Sequence, residues 1–204
     1  MKDLINKTLE EWFPGGEVSA GEVFLRVRDI TYALAPGMYD PELGPGRMLD
    51  VQKGFCVPKH YLLGGILTEL GYGVRYEVSA FKWADSLIDP SIAAASSKLP
   101  TTYHLSLKAL ISGEWRRVDA TWDKGLIGSG LPVNASWDGL SDTIPAVKAI
   151  GERLFGDQRE CDGYLKKKLD SYKPAERAAL SRFSVKLNKW LSESREALAQ
   201  GSMV

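Results

Sequence analysis

The stretch from Gly54 to Leu70 constrains this chain more than any other. Gly54 and Phe55 lead into Cys56, and Pro58 follows in the position of a first helical turn, where a missing N–H costs nothing and the fixed φ suits a helix start. From Tyr61 to Leu70 apolar or small residues occupy nearly every side. A helix apolar all round is a buried one, so this segment is expected at the centre of the core. Gly64 and Gly65 lower helix propensity, which predicts that neighbouring elements press close against them. Gly71 and Gly73 end the helix. Cys56 therefore sits at a helix N-terminus, where unpaired N–H groups and the helix dipole favour a thiolate. Cysteines so placed can have pKa values of about 3.5–7.5 instead of about 8.5. The plainer alternative is a buried cysteine acting as a small hydrophobe.

The whole chain narrows the function classes. At 204 residues it is read as one structural unit, with a core over 1–145 and a helical appendage over 146–204 packed on it. Lys+Arg and Asp+Glu both number 26, without a basic stripe, so nothing points to nucleic acid. No apolar run approaches the roughly 18 residues of a membrane helix. The first residues lack the apolar centre of a signal peptide, from which a cytoplasmic location is expected. The two cysteines, Cys56 and Cys161, form no CxxC pair, and no disulfide is expected in a reducing compartment.

In order, residues 2–13 read as a short amphipathic helix broken by Pro14, Gly15 and Gly16. Ser19 and Glu22 form a capping box, and the helix after it is expected to reach about Ala35. Residues 36–53, rich in Pro and Gly, read as irregular. Past Gly73 the period changes to two, predicting a half-buried strand with Arg75, Glu77 and Ser79 outward. Residues 82–101 read as a long loop with a short helix near 92–97. Residues 103–111 and 115–122 read as antiparallel strands joined at Ser112, Gly113 and Glu114. A surface connection over 124–145 follows, then helical sequence from about Pro145, clearest from Pro174 to Gln200.

A nucleophilic thiol needs a base, and the base needs an orienting group. Cys56, His104 and Asp119 can fill those roles, because triad chemistry does not depend on chain order. With the turn centred on Gly113, residue 122 falls opposite His104 and Asp119 lies three positions short of it. A bulge or a shifted register would bring the two level. Taken singly, His104 is also readable as a surface strand histidine and Asp119 as a strand-end carboxylate.

Three pieces together resemble the transglutaminase-like superfamily, with its papain-like core. The first runs from Gly54, Phe55 and Cys56 through the apolar helix to Gly71, Tyr72, Gly73, Val74 and Arg75. It is similar to the family's G-x-C, leucine-rich helix and G-[IV]-x-x-R. The second is His104 at a strand start. The third is Trp115 to Thr121, which resembles W-x-x-[VL]-D-x-T, its aspartate 15 residues past the histidine. The match spans 54–123. Pro58, Lys59, His60 and Tyr72 depart from the family's usual residues. The resemblance implies an α+β fold in which the cysteine helix packs on an antiparallel sheet, with extra N- and C-terminal helices. It also implies triad roles for Cys56, His104 and Asp119.

Gln52 is a candidate oxyanion donor beside the Cys56 N–H, or a solvated loop residue. Trp83 and Trp122 are candidate substrate-binding residues on loops, or, like Trp137, core anchors. His60, one turn after Cys56, raises the alternative of a metal site with Cys56, His104 and Asp119, but the triad explains the same residues without metal or cofactor. Lys53 and Lys59 read as solvated, and Cys161 as bland. The expected chemistry is acyl transfer from a peptide or side-chain amide through a thioester, most simply to water. An amine acceptor, as in protein cross-linking, and a non-catalytic binding module are the alternatives.

Overall fold

The computed structural model describes residues 1–15, 18–86 and 89–201. Gly16, part of the expected break after the first helix, lies outside them. The helices are α1 (Lys2–Trp12), α2 (Ala20–Asp29), α3 (Gly44–Val51), α4 (Cys56–Glu69), α5 (Pro90–Ser96), α6 (Gln158–Asp170) and α7 (Pro174–Gly201). The strands are β1 (Thr31–Tyr32), β2 (Lys53–Gly54), β3 (Gly73–Phe81), β4 (Thr102–Ile111), β5 (Glu114–Val118) and β6 (Ala149–Phe155). Among the described residues, β3 to β6 form one antiparallel sheet in the order β5-β4-β3-β6, and β1 pairs parallel with β2. The fold is α+β, with the cysteine-bearing helix packed against the sheet.

Helix α4 is the centre of the core, because its sequence leaves no polar stripe to face water. Cys56 through Gly64 are buried without interruption, as are Ile66 and Leu67. Its two glycines are there for space. A Cβ on Gly64 would come within 2.7 Å of the Tyr76 hydroxyl from β3, and one on Gly65 would collide with Ile5 of α1. Two elements thus reach the α4 backbone where a side chain would hold them off. Among the described residues no helix is long and apolar enough to cross a membrane.

Several local expectations are corrected by tertiary contacts. Helix α2 begins at the expected capping box but ends at Asp29, short of Ala35. The backbone beyond it is taken by other partners: Asp123 accepts from Tyr32 N, Gly54 O from Ala33 N, and Asn188 bonds both N and O of Leu34. Residues 36–53 contain α3, which accommodates Pro45 in its first turn and buries Met48. Glu77 and Ser79, expected outward, are buried; Arg117 Nε donates to Glu77 at 3.2 Å. Lys59, read as solvated, is fully buried. The segment after Pro145 is not helical at first: residues 149–155 make the edge strand β6 against β3. Strand β5 stops at Val118 and does not reach Trp122.

Helix α7 is bonded into the core. Arg195 grips the Asp123 carboxylate through Nε (3.1 Å) and Nη2 (2.6 Å), and Nη2 also donates to Tyr32 O. Phe183, Leu187 and Leu191, spaced one turn apart along the helix, are buried.

Candidate active site

The hairpin turn decides the site's geometry. Ser112 and Gly113 both have positive φ, 50° and 84°. That is the two-residue turn whose twist suits a hairpin. Ile111 therefore pairs with Glu114, and Leu107 with Val118. Continued, this register sets residue 121 opposite His104, one residue from the position expected with the turn centred on Gly113. The shift changes parity. Asp119 becomes a diagonal neighbour of His104 on the same side of the strand pair, within reach of a polar contact.

His104 Nε2 stands 2.9 Å from Asp119 Oδ2, and Cys56 is near enough to the ring to raise its proton affinity, the two residues lining one cavity. With Nε2 engaged by the carboxylate, Nδ1 is the nitrogen left for sulfur. All three residues are buried. Burial alone would pull the His104 pKa down. The negative charge of Asp119, then that of Cys56, outweighs it and raises the value to about 10. Burial likewise pushes the Asp119 carboxyl up, and the His104 charge and hydrogen bond overcome this to hold it well below the usual carboxylate range.

Asp119 is held on every side. Oδ2 also accepts from Ala146 N (2.8 Å), while Oδ1 accepts from the Thr121 hydroxyl (2.6 Å) and Thr121 N (3.2 Å). Its N–H donates to the Thr143 hydroxyl, and its carbonyl accepts from Asn134 Nδ2. Thr143, Asn134 and Ala146 come from the long connection after β5. That stretch, expected as surface, is exposed at Ile127, Leu140 and Ile144 but turns Asn134, Thr143 and Ala146 inward as a buried cradle for the carboxylate. Thr121 belongs to the D-x-T motif; Thr143, Asn134 and Ala146 carry no signal in the sequence.

His60 lies between helix and strand pair. Its Nδ1 donates to Cys56 O at 2.7 Å, and its Nε2 accepts from Ala120 N at 3.0 Å. A carbonyl can only accept and an amide N–H only donate, so the ring is the neutral Nδ1–H tautomer. Burial, reinforced by the His104 charge against the opposing pull of Asp119, lowers its pKa to about 4. Its 3.7 Å approach to Asp119 is therefore not an ion pair. With both nitrogens bound to backbone, His60 has no lone pair to offer a metal.

Lys59 Nζ donates to Arg28 O (3.0 Å) and Thr121 O (2.8 Å), joining α2 to the segment that carries Asp119. Burial lowers its pKa to about 7 against the opposing charges of Asp123 and Asp29. Gln52 is not brought to the site. It is exposed, in left-handed conformation at the C-terminus of α3, and its amide donates to Leu49 O at 2.7 Å. Its expected oxyanion role is replaced by a capping one, because the αL turn directs the amide back to an unpaired helix carbonyl.

Cys56, His104 and Thr121 open onto a cavity of about 650 Å³. Trp83 and Trp122 both line it while also anchoring the core. Trp122 Nε1 donates to Ala146 O, its ring lies 4.4 Å from that of Tyr32, and Trp83 packs on Phe81 and Phe183. Tyr32, on the wall beside Cys56, was not marked by any motif.

No family model and no curated protein matches the chain. Among solved structures it is similar to a candidate cysteine protease from Cytophaga hutchinsonii, at 17% identity and a TM-score of 0.41 over 76% of this chain. The chain spans about half of that protein's length, 47%.

Proposed function

We infer that this protein is a thiol-dependent amide hydrolase working through Cys56, His104 and Asp119. One observation carries the reading: His104, bonded through Nε2 to the Asp119 carboxylate at 2.9 Å, lines the same cavity as Cys56, whose nearness raises the proton affinity of the ring. The three motifs, similar in order and spacing to those of the transglutaminase-like superfamily, agree with it.

Sulfur of Cys56 attacks the carbonyl carbon of the amide and the C–N bond breaks. The thiol's proton, collected by His104, passes to the leaving amine. Water then attacks the thioester, giving one proton to His104. The S–C bond breaks, the acid is released, and the Cys56–His104 pair again shares the one proton it began with. An imidazole held protonated through neutrality by Asp119 suits delivery to an amine. The Cys56 N–H, at the first position of α4, has no carbonyl partner within the helix and is a donor for a developing oxyanion. Asp119 orients the ring and stabilises its charged form.

The test is alkylation by iodoacetamide at neutral pH with peptide mapping. Cys56 is expected to react faster than free cysteine, and Cys56→Ala to abolish amide hydrolysis. A Cys56 rate no faster than free cysteine, or unchanged hydrolysis in Cys56→Ala, rejects the assignment.

A further inference from the structure

Resting on the thiol-transfer reading, we propose that the substrate is a small molecule carrying an uncharged aromatic group beside the scissile amide, and not an extended polypeptide. The cavity that meets Cys56 is lined by the rings of Tyr32, Trp122 and Trp83 and by Phe183 of α7, which packs on Trp83. Its volume of about 650 Å³ falls in the range of small-molecule sites. Aromatic walls bury a flat ring well and add offset or edge-to-face contacts.

The polar groups of the lining support the same choice. A polypeptide in a groove brings a row of N–H and C=O groups, each needing a partner. Here Asn188, Tyr172, Thr102, Thr121 and Ser184 of the lining turn their polar groups to their own chain, which leaves the hydroxyls of Tyr32, Tyr39, Tyr103 and Ser181 as scattered polar points and not a row. Asn188 has both amide atoms on Leu34, the Tyr172 hydroxyl donates to Thr101 O, and the Thr102 hydroxyl to Phe81 O. Arg177, the one fully charged side chain among the described lining residues apart from His104, folds back on the α6–α7 turn through Tyr172 O and Asp170 O. No carboxylate is among the described lining residues, so nothing there calls for a cationic ligand.

The experiment compares two alkylating probes with the same electrophile, 2-chloroacetamide and N-benzyl-2-chloroacetamide, on the 204-residue chain. In each, sulfur bonds the methylene carbon and chloride leaves. The rate ratio at Cys56, benzyl over unsubstituted and normalised to the ratio on free cysteine, is expected to be about tenfold or more. In Ser184→Trp, which projects an indole into the cavity from α7, the ratio should fall towards one. The fall counts only where 2-chloroacetamide still reacts faster at Cys56 of Ser184→Trp than at free cysteine, because an unfolded chain would also bring the ratio to one. A wild-type ratio near one, with 2-chloroacetamide still reacting faster at Cys56 than at free cysteine, overturns the substrate class and leaves the thiol chemistry standing. Neither probe outpacing free cysteine overturns both. An undiminished ratio in Ser184→Trp also overturns the proposal, because the α7 wall would then not border the bound ring.

Discussion

His60 and His104 stand edge to face with ring centroids 6.0 Å apart, and Asp119 lies against both, yet their proton affinities move in opposite directions. The difference lies in which atoms meet the nitrogens. His104 gives its Nε2 to a carboxylate, whereas His60 must accept an amide N–H at Nε2 and cannot hold a second proton there.

This pair is directly observable, because the chain has only two histidines. In proton NMR neither ring is expected to titrate between about pH 5.5 and 8.5. His104 should stay protonated until about pH 10 and His60 neutral until about pH 4. A resonance titrating near 6.5 would contradict the arrangement. Stability follows with definite signs. His104, raised, stabilises the fold fully below about pH 6.5 and loses that contribution as pH climbs through 10. His60, lowered, stabilises above about 6.5 and loses it as pH drops through 4. Lys59, lowered to about 7, has the opposite alkaline sign, since its penalty is relieved as pH rises. The decline in denaturant midpoint from pH 6.5 to 4 is therefore the cleaner measurement.

Asp119→Asn should lower amide hydrolysis by about 10²–10⁴-fold, with Cys56 still present and the chain folded. An amide NH₂ would face the N–H of Ala146 or the donors of Thr121, costing roughly 1–3 kcal/mol in denaturant unfolding. The discriminating signature is the His104 titration moving down towards the ordinary imidazole range. An unmoved titration would mean that Asp119 does not hold the proton on the ring.

Gly64→Ala should destabilise by about 1–3 kcal/mol through overpacking against the Tyr76 hydroxyl. In a Tyr76→Phe background the same change should cost less, since the atom met first is gone and alanine favours the helix. A double-mutant cycle by denaturant unfolding checks the coupling, and strict additivity would refute the close contact.

Arg195→Ala should cost about 1–3 kcal/mol, less than a fully buried pair because the Arg195 side chain retains 20% exposure. Amide exchange in α7 should quicken more than in α4. Uniform change across both helices would show that Asp123 and Tyr32 are not what holds α7 to the core.

Much of the local structure was legible in the chain itself. The all-apolar turns after Pro58 required a buried helix starting at Cys56. The Ser19–Glu22 box and the alternation before Phe81 are patterns of near neighbours, and near neighbours determine them. His104 and Asp119 were legible as partners only up to one residue of register. The positive φ of Ser112 and Gly113 settled that residue, because in a strand a single step reverses every side chain. The early end of α2, the short β5 and the edge strand β6 follow from distant groups capturing backbone N–H and C=O. No window of sequence contains both partners of such a bond. The cradle around Asp119, the neutral His60 and the α7 residues that line the cavity with Cys56 arise the same way. Sequence determined which residues could do thiol chemistry and where the core helix begins. Tertiary structure decided their alignment and what else can enter, because burial and hydrogen-bond geometry depend on segments more than a hundred residues apart, as with Tyr32 and Arg195.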